Sequence, residues 1–227
     1  MDTRQWERLA AATGIVFVAL QLATIPLMGD TPDFDAGPRE IREYLVDDGG
    51  GLLLAVTLNA LSAFFFIWFL GSLRAVLRVA EGAQGRLSTV AFGAGLITIT
   101  LAVAVSVPIT ALAWEDTAAA VEPGLLRVAW NLNLLAFVPL GATAAAFVLA
   151  VTVLIFRTRL FPSWVGIVGV VSAAVGLISV FALVADDYDT PLAFFGFLSF
   201  VSSMLFILIL SVYMVIKLGG NRTAAAT

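Results

Sequence analysis

Residues 51–73 read GLLLAVTLNALSAFFFIWFLGSL and contain no Asp, Glu, Lys or Arg. At a helical rise of about 1.5 Å per residue, this run is long enough to cross the roughly 30 Å hydrocarbon core of a bilayer. Hydrocarbon offers no water to the backbone N–H and C=O groups, so a lone crossing segment must satisfy them within itself, as a helix. Five further runs of this kind lie outward from it, at 9–28, 87–113, 128–156, 164–185 and 191–216, and none has a charged residue near its middle. The run at 87–113 and the one at 128–156 exceed the minimum, which predicts tilt or protruding ends. The expected fold is all-α: one polytopic transmembrane domain over residues 1–227, built as a six-span helix bundle.

Composition agrees with this reading. Of the 227 residues, 61% are hydrophobic and 12% charged, against roughly 45–50% and about 25% in soluble domains. The chain has no Cys and no His. That removes disulfides, thiolate chemistry, Cys/His zinc sites and His-ligated haem, and no cofactor is expected. The net charge of −4, without a basic stripe, argues against nucleic acid as a partner.

The connecting segments alternate in charge. Arg4, Arg8, Arg74, Arg78, Arg86, Arg157, Arg159, Lys217 and Arg222 fall on one side of the six runs. The other side carries Asp30, Asp33, Asp35, Glu40, Glu43, Asp47, Asp48, Glu115, Asp116, Glu122, Asp186, Asp187 and Asp189, with only Arg39, Arg42 and Arg127 as basic residues. Short loops rich in Lys and Arg stay in the cytoplasm, so both termini are expected there, in a multi-pass protein of the cell membrane. Trp and Tyr prefer the headgroup level, where the ring is half wet. Trp68 and Trp164 fall at inner ends of spans, with Trp6 and Tyr213. Trp114 and Trp130 fall at outer ends, with Tyr44 and Tyr188. The four span-end tryptophans Trp68, Trp114, Trp130 and Trp164 are therefore expected as interface anchors. The first run is nearly 20 residues long and lacks a small-x-small site before the acidic loop, so it is read as a retained span.

One loop is large enough to fold, residues 29–51. Gly37–Pro38 marks a helix start, Ile41 and Leu45 share a face, and the glycines at 49–51 mark an end. A short amphipathic helix is expected in this first outer loop. Asp30, Asp33 and Asp35 invite a calcium reading, but twelve positions counted from Asp33 end on Tyr44 where an EF-hand needs Glu. A solvated acidic face is the plainer reading.

Chemistry inside the spans is sparse. Proton relays and ion pathways use intramembrane charges, and a serine-based intramembrane protease needs a base. With no His, and Lys217 as the only Lys, no enzyme activity is expected. The neutral polar residues Gln21, Asn59, Asn131 and Asn133 all fall in the outer half of their spans, where Pro26 and Pro108 also lie. Two readings stand. The amides join helices by hydrogen bonds, or they line an outward-open polar vestibule able to take a neutral small molecule or a lipid headgroup.

Before the fifth run the chain reads RTRLFPSWVG, residues 157–166. Pro162 fits a first helical turn, where its missing N–H costs nothing. Gly166, Gly169, Ala173 and Gly176 recur at helical spacing and form a small-residue packing stripe that lets a neighbouring backbone come close. This motif, the six spans and the long acidic first outer loop together resemble a family of bacterial integral membrane proteins, domain of unknown function 4386. Its members carry a Pro-x-Trp-Leu-Gly-like opening to a late helix. Pro162, Trp164, Val165 and Gly166 stand at that place here, with Val165 where the pattern has Leu. The resemblance covers about residues 8–216. It implies a six-helix membrane fold, and the family has no established activity to carry over. The expected role is a non-enzymatic structural or accessory membrane component, partnered by the lipid bilayer and by another membrane protein or a second copy of the chain. The alternative is a binder or carrier of a lipid or neutral small molecule through the vestibule.

Overall fold

A computed structural model of the chain describes residues 3–114, 117–135, 137–183 and 191–220. They form α1 (Thr3–Thr24), α2 (Pro38–Asp47), α3 (Gly49–Glu81), α4 (Arg86–Ala104), α5 (Ser106–Ala113), α6 (Thr117–Ala120), α7 (Pro123–Leu135), α8 (Phe137–Thr158), α9 (Ser163–Ser179) and α10 (Pro191–Gly220). Single 3-10 turns follow α1 and α9, at Ile25–Leu27 and Val180–Leu183. Glu115, Asp116, Asp186, Asp187, Tyr188, Asp189, Arg222 and the end of the expected run at 164–185 lie outside the described residues.

Proline sets where the long apolar runs break. It cannot donate to the carbonyl four residues back, and its ring collides with that carbonyl. Pro108 is the third residue of α5, and α4 ends four residues before it, at Ala104. Pro26 falls in the turn that closes α1. Pro38 and Pro123 instead open α2 and α7, where no N–H is needed. At the start of α4 the Glu81 carboxylate accepts hydrogen bonds from the N–H groups of Leu87 (2.7 Å) and Ser88 (2.9 Å), which fixes the α3–α4 hairpin.

Among the described residues, five stretches are long and apolar enough to cross a membrane: Gln5–Leu27, Gly49–Glu81, Arg86–Ala113, Pro123–Thr158 and Phe194–Lys217. The 17-residue α9 is apolar but shorter. The described chain is an all-helical bundle of the multi-pass kind.

Six helices form a closed ring in the order α1, α3, α4, α8, α9, α10 and back to α1. Side-chain contacts show the directions. Trp6 meets Trp68 edge-on at 5.6 Å, and further along Gln21 bonds Asn59, so α1 and α3 run antiparallel. A Cβ on Gly166 would meet Phe156, one on Gly169 would meet Thr152, and one on Gly176 would meet Gly141, so α8 and α9 are antiparallel over nearly all of α9. Trp164 near Tyr213 and Gly176 near Ser199 make the same statement for α9 and α10. The ring is filled rather than hollow. Phe17, Phe66, Phe69, Phe147, Phe206 and Leu210 are among its buried side chains, with Phe66 against Phe17 at 4.5 Å and against Phe147 at 6.0 Å.

The two ends of the ring differ. One gathers the start of α1, the α3–α4 hairpin, the α8–α9 turn and the end of α10. Ser211 Oγ donates to Ala11 O at 2.6 Å there, and Lys217 Nζ to Leu160 O at 3.3 Å. At the other end α2, α5, α6 and α7 build a second, smaller core from Ile41, Tyr44, Leu45, Leu112, Leu126 and Trp130, among others. Arg42 ties it together, donating from Nε to Ala118 O (3.0 Å) and from Nη2 to Val121 O (3.1 Å). A cation there meets carbonyls left open at the end of α6.

Candidate functional site

The four expected vestibule residues separate into two pairs. Gln21 Nε2 donates to Asn59 Oδ1 and to Ser62 Oγ, each at 2.8 Å, and Asn59 Nδ2 donates to Ala102 O at 3.1 Å. Ala102 lies in the last turn of α4, where carbonyls lose their intrahelical partners. This network joins α1, α3 and α4, and Gln21 and Ser62 are buried in it. Asn131 and Asn133 lie on α7, whose main neighbours are α5 and α2. Asn133 is buried, and Asn131 Oδ1 is enclosed with no hydrogen-bond partner among the described residues. No hydrogen bond among the described residues joins Gln21 or Asn59 to Asn131 or Asn133.

A hollow does exist nearby, and it is apolar. About 390 Å³ lies between α3 and the α4–α5 break, lined by Val56, Ala60, Val103, Ser106, Val107, Thr110, Ala111 and Trp114. Its hydroxyls are turned back on their own helix, Ser106 Oγ to Val103 O (2.7 Å) and Thr110 Oγ1 to Ser106 O (2.6 Å). The groove lies beside the turn at Val105, three residues before Pro108.

The small-residue stripe is buried and meets both neighbours of α9. Ala173 is 3% exposed. A Cβ on Gly166 would lie 2.7 Å from the Phe156 ring, and one on Gly176 would lie 2.9 Å from Gly141 O. At Gly169 it would collide with Thr152 Oγ1 and lie 2.9 Å from Phe206. A serine seam runs beside it: Ser202 Oγ donates to Ser172 Oγ at 3.1 Å, and Ser172 and Ser203 share a bond of 3.3 Å. Ser172 has no counterpart in the polar residues picked out from the sequence. Its position three residues from Gly169 was the available signal.

Among the expected anchors, Trp68, Trp114 and Trp164 are well exposed. Trp130 differs. Its ring is fully enclosed by protein, edge-on to Tyr44 at 5.5 Å, and its indole Nε1 has no hydrogen-bond partner among the described residues. The physical reason is the second core, which covers that end of α7 and makes Trp130 its largest buried side chain. Tyr44 donates to Met28 O at 2.7 Å. Burial raises its phenol above the ordinary value, against a hydrogen bond with Thr31 and with help from Asp48.

Comparison with protein-family models, with curated proteins and with solved structures returns no match. The reading of the site therefore rests on its own geometry. Among the described residues no group of three acidic side chains is placed to hold a metal ion. What the arrangement does physically is join helices: three polar clusters, Gln21–Asn59–Ser62, Ser172–Ser202–Ser203 and Ser211–Ala11, each bridge different helices of the ring.

Proposed function

We propose that this chain is a six-span protein of the cell membrane, a member of the domain of unknown function 4386 family, with both termini cytoplasmic and the second core on the outer face. It acts as a non-enzymatic structural or accessory component. The observation that carries this reading is the distribution of polarity. Inside the ring Gln21, Asn59, Ser62, Ser172, Ser203 and Ser211 are engaged in helix-to-helix hydrogen bonds, while outward faces carry exposed Leu61, Phe64, Ile97, Ile167, Val170 and Leu205. A soluble bundle shows the reverse pattern. The sixth crossing is supported by α9 and its 3-10 continuation, which together rise about 34 Å. The position of α9 in the ring between α8 and α10 supports it too.

The test separates helix joining from a polar vestibule. Asn59→Leu removes bonds to Gln21 and Ala102 and is expected to cost about 1 kcal/mol, at roughly 0.6 kcal/mol per interhelical bond. Asn131→Leu removes an enclosed, unpartnered oxygen and is expected to be neutral or stabilising. Unfolding in mixed micelles measures both. Equal losses from the two changes, with a neutral polar solute protecting only the parent, would favour the vestibule.

The apolar groove favours a second reading, lipid binding. Its walls suit an acyl chain rather than a polar solute, and Trp114 stands at one end of the set that lines it. Ala60→Phe, which fills the groove, is expected to reduce quenching of tryptophan fluorescence by bromine-labelled acyl chains. Unchanged quenching would leave only the structural role.

A further inference from the structure

The α3–α4 hairpin carries two cations, Arg74 and Arg78, with no carboxylate partner among the described residues. Arg74 and Arg78 are four residues apart on one face of α3, where like charges repel. The Arg74 guanidinium lies over the Phe92 ring of α4, 5.1 Å from its centroid. Arg74 Nε is enclosed, with no hydrogen-bond partner among the described residues. It borders a narrow crevice formed by Leu70, Leu73, Leu77, Ser88 and Phe147, among others. Arg78 reaches over the start of α4, with its Nη1 3.7 Å from where a Cβ on Gly85 would stand. Neither arginine has an ion pair; among the described residues the only ion pair is Arg39–Glu43. Glu81, the carboxylate of this hairpin, is engaged by the N–H groups of Leu87 and Ser88.

The surroundings point to an amphiphilic anion. Trp68 and Trp6, packed on each other, mark an interfacial level, and Arg74 stands about 9 Å further along α3, at headgroup depth. Toward the bilayer on the same face, Gly71 leaves open space and Ile67 is exposed. A forked cation above an open apolar strip matches a phosphodiester above an acyl chain. We propose that Arg74 and Arg78 hold the phosphate of an anionic phospholipid in the leaflet at the basic end of the bundle. Basic sites between transmembrane helices on this side of a membrane suit such headgroups.

This proposal rests on the membrane reading, and the test keeps the two apart. Full-length protein in neutral detergent is titrated with phosphatidylglycerol or phosphatidylcholine, and retained lipid is read by native mass spectrometry. The parent is expected to prefer phosphatidylglycerol. Arg74→Gln with Arg78→Gln should lower that preference about thirtyfold, the scale set by two interfacial cations. Arg157→Gln with Arg159→Gln, an equal charge change on the other basic turn, should leave it in place. Should the Gln pair not fold, Arg74→Lys with Arg78→Lys keeps the charge without the fork and should weaken the preference only severalfold. The proposal is overturned by a parent without preference, by equal loss in both Gln pairs, or by excess inorganic phosphate stripping the lipid, which would make the ligand free phosphate. Failure of the membrane reading shows separately, as protein released from membranes by alkaline carbonate without detergent.

Discussion

Gly169→Ala adds one methyl group at the point where α8, α9 and α10 meet. The new Cβ would run into Thr152 Oγ1 and stand 2.9 Å from the Phe206 ring. Neither neighbour yields easily. Thr152 is β-branched on a helix, so its rotamer choice is narrow, and Phe206 is fully buried. Overpacking of this kind costs about 1–3 kcal/mol, while Gly to Ala inside a helix returns up to about 1 kcal/mol. At a contact this close the upper overpacking figure applies, and a net loss of about 2 kcal/mol is expected. Gly93→Ala is the control: nothing lies within 4 Å of its added Cβ, so only the propensity gain remains. A second change identifies the clashing atom. Thr152→Ala removes Oγ1 and is expected to restore most of the stability of Gly169→Ala. Thr152→Val keeps the shape and should not. By itself Thr152→Val should be neutral or stabilising, because Oγ1 is buried without a partner among the described residues. Unfolding by a denaturing detergent in mixed micelles, followed by tryptophan fluorescence, gives the free energies. The reasoning fails if Gly169→Ala is as stable as the parent, or if Val rescues as well as Ala.

Two further predictions concern the ends of the bundle. Arg159 holds a left-handed backbone, φ 53°, just past the end of α8. Arg159→Gly should raise stability by about 1 kcal/mol, the strain an L side chain carries there; a lower melting temperature would show that the side chain contributes more than its strain. Arg42→Leu leaves the carbonyls of Ala118 and Val121 without their donor. Elastase cleavage in Thr117–Val121 should then quicken severalfold while the melting of the ring stays fixed, and an unchanged cleavage rate would refute the tie.

Depth along a helix was legible in the sequence; direction around it was legible only where a repeat reported it. The run at 51–73 gave α3 its place because length and lack of charge act through the solvent alone. The spacing of Gly166, Gly169, Ala173 and Gly176 also fixes a shared face, and those residues do sit together against α8 and α10. Asn59 and Asn131 were grouped by depth, with no information about azimuth, and the fold turns them to different neighbours. Trp130 was misplaced for the same reason: its depth suits an interface, but α2 and α5 cover its face. The Arg42 link joins residues 76 and 79 positions apart, and no local pattern announces such a pairing. Pro108 was seen as a helix breaker, but the groove beside it depends on how far α3 stands from α5, which periodicity does not encode.

The central claim is a six-crossing bundle with its basic end in the cytoplasm, and the absence of native Cys allows a direct test. Single cysteines at Asp35, Gln84 and Tyr188 are exposed to a membrane-impermeant maleimide in intact cells. The account predicts labelling of Asp35→Cys and Tyr188→Cys from outside, with Gln84→Cys labelled only after permeabilisation. Protection of Tyr188→Cys beside a labelled Asp35→Cys would mean that α9 does not cross, and labelling of Gln84→Cys from outside would reverse the orientation.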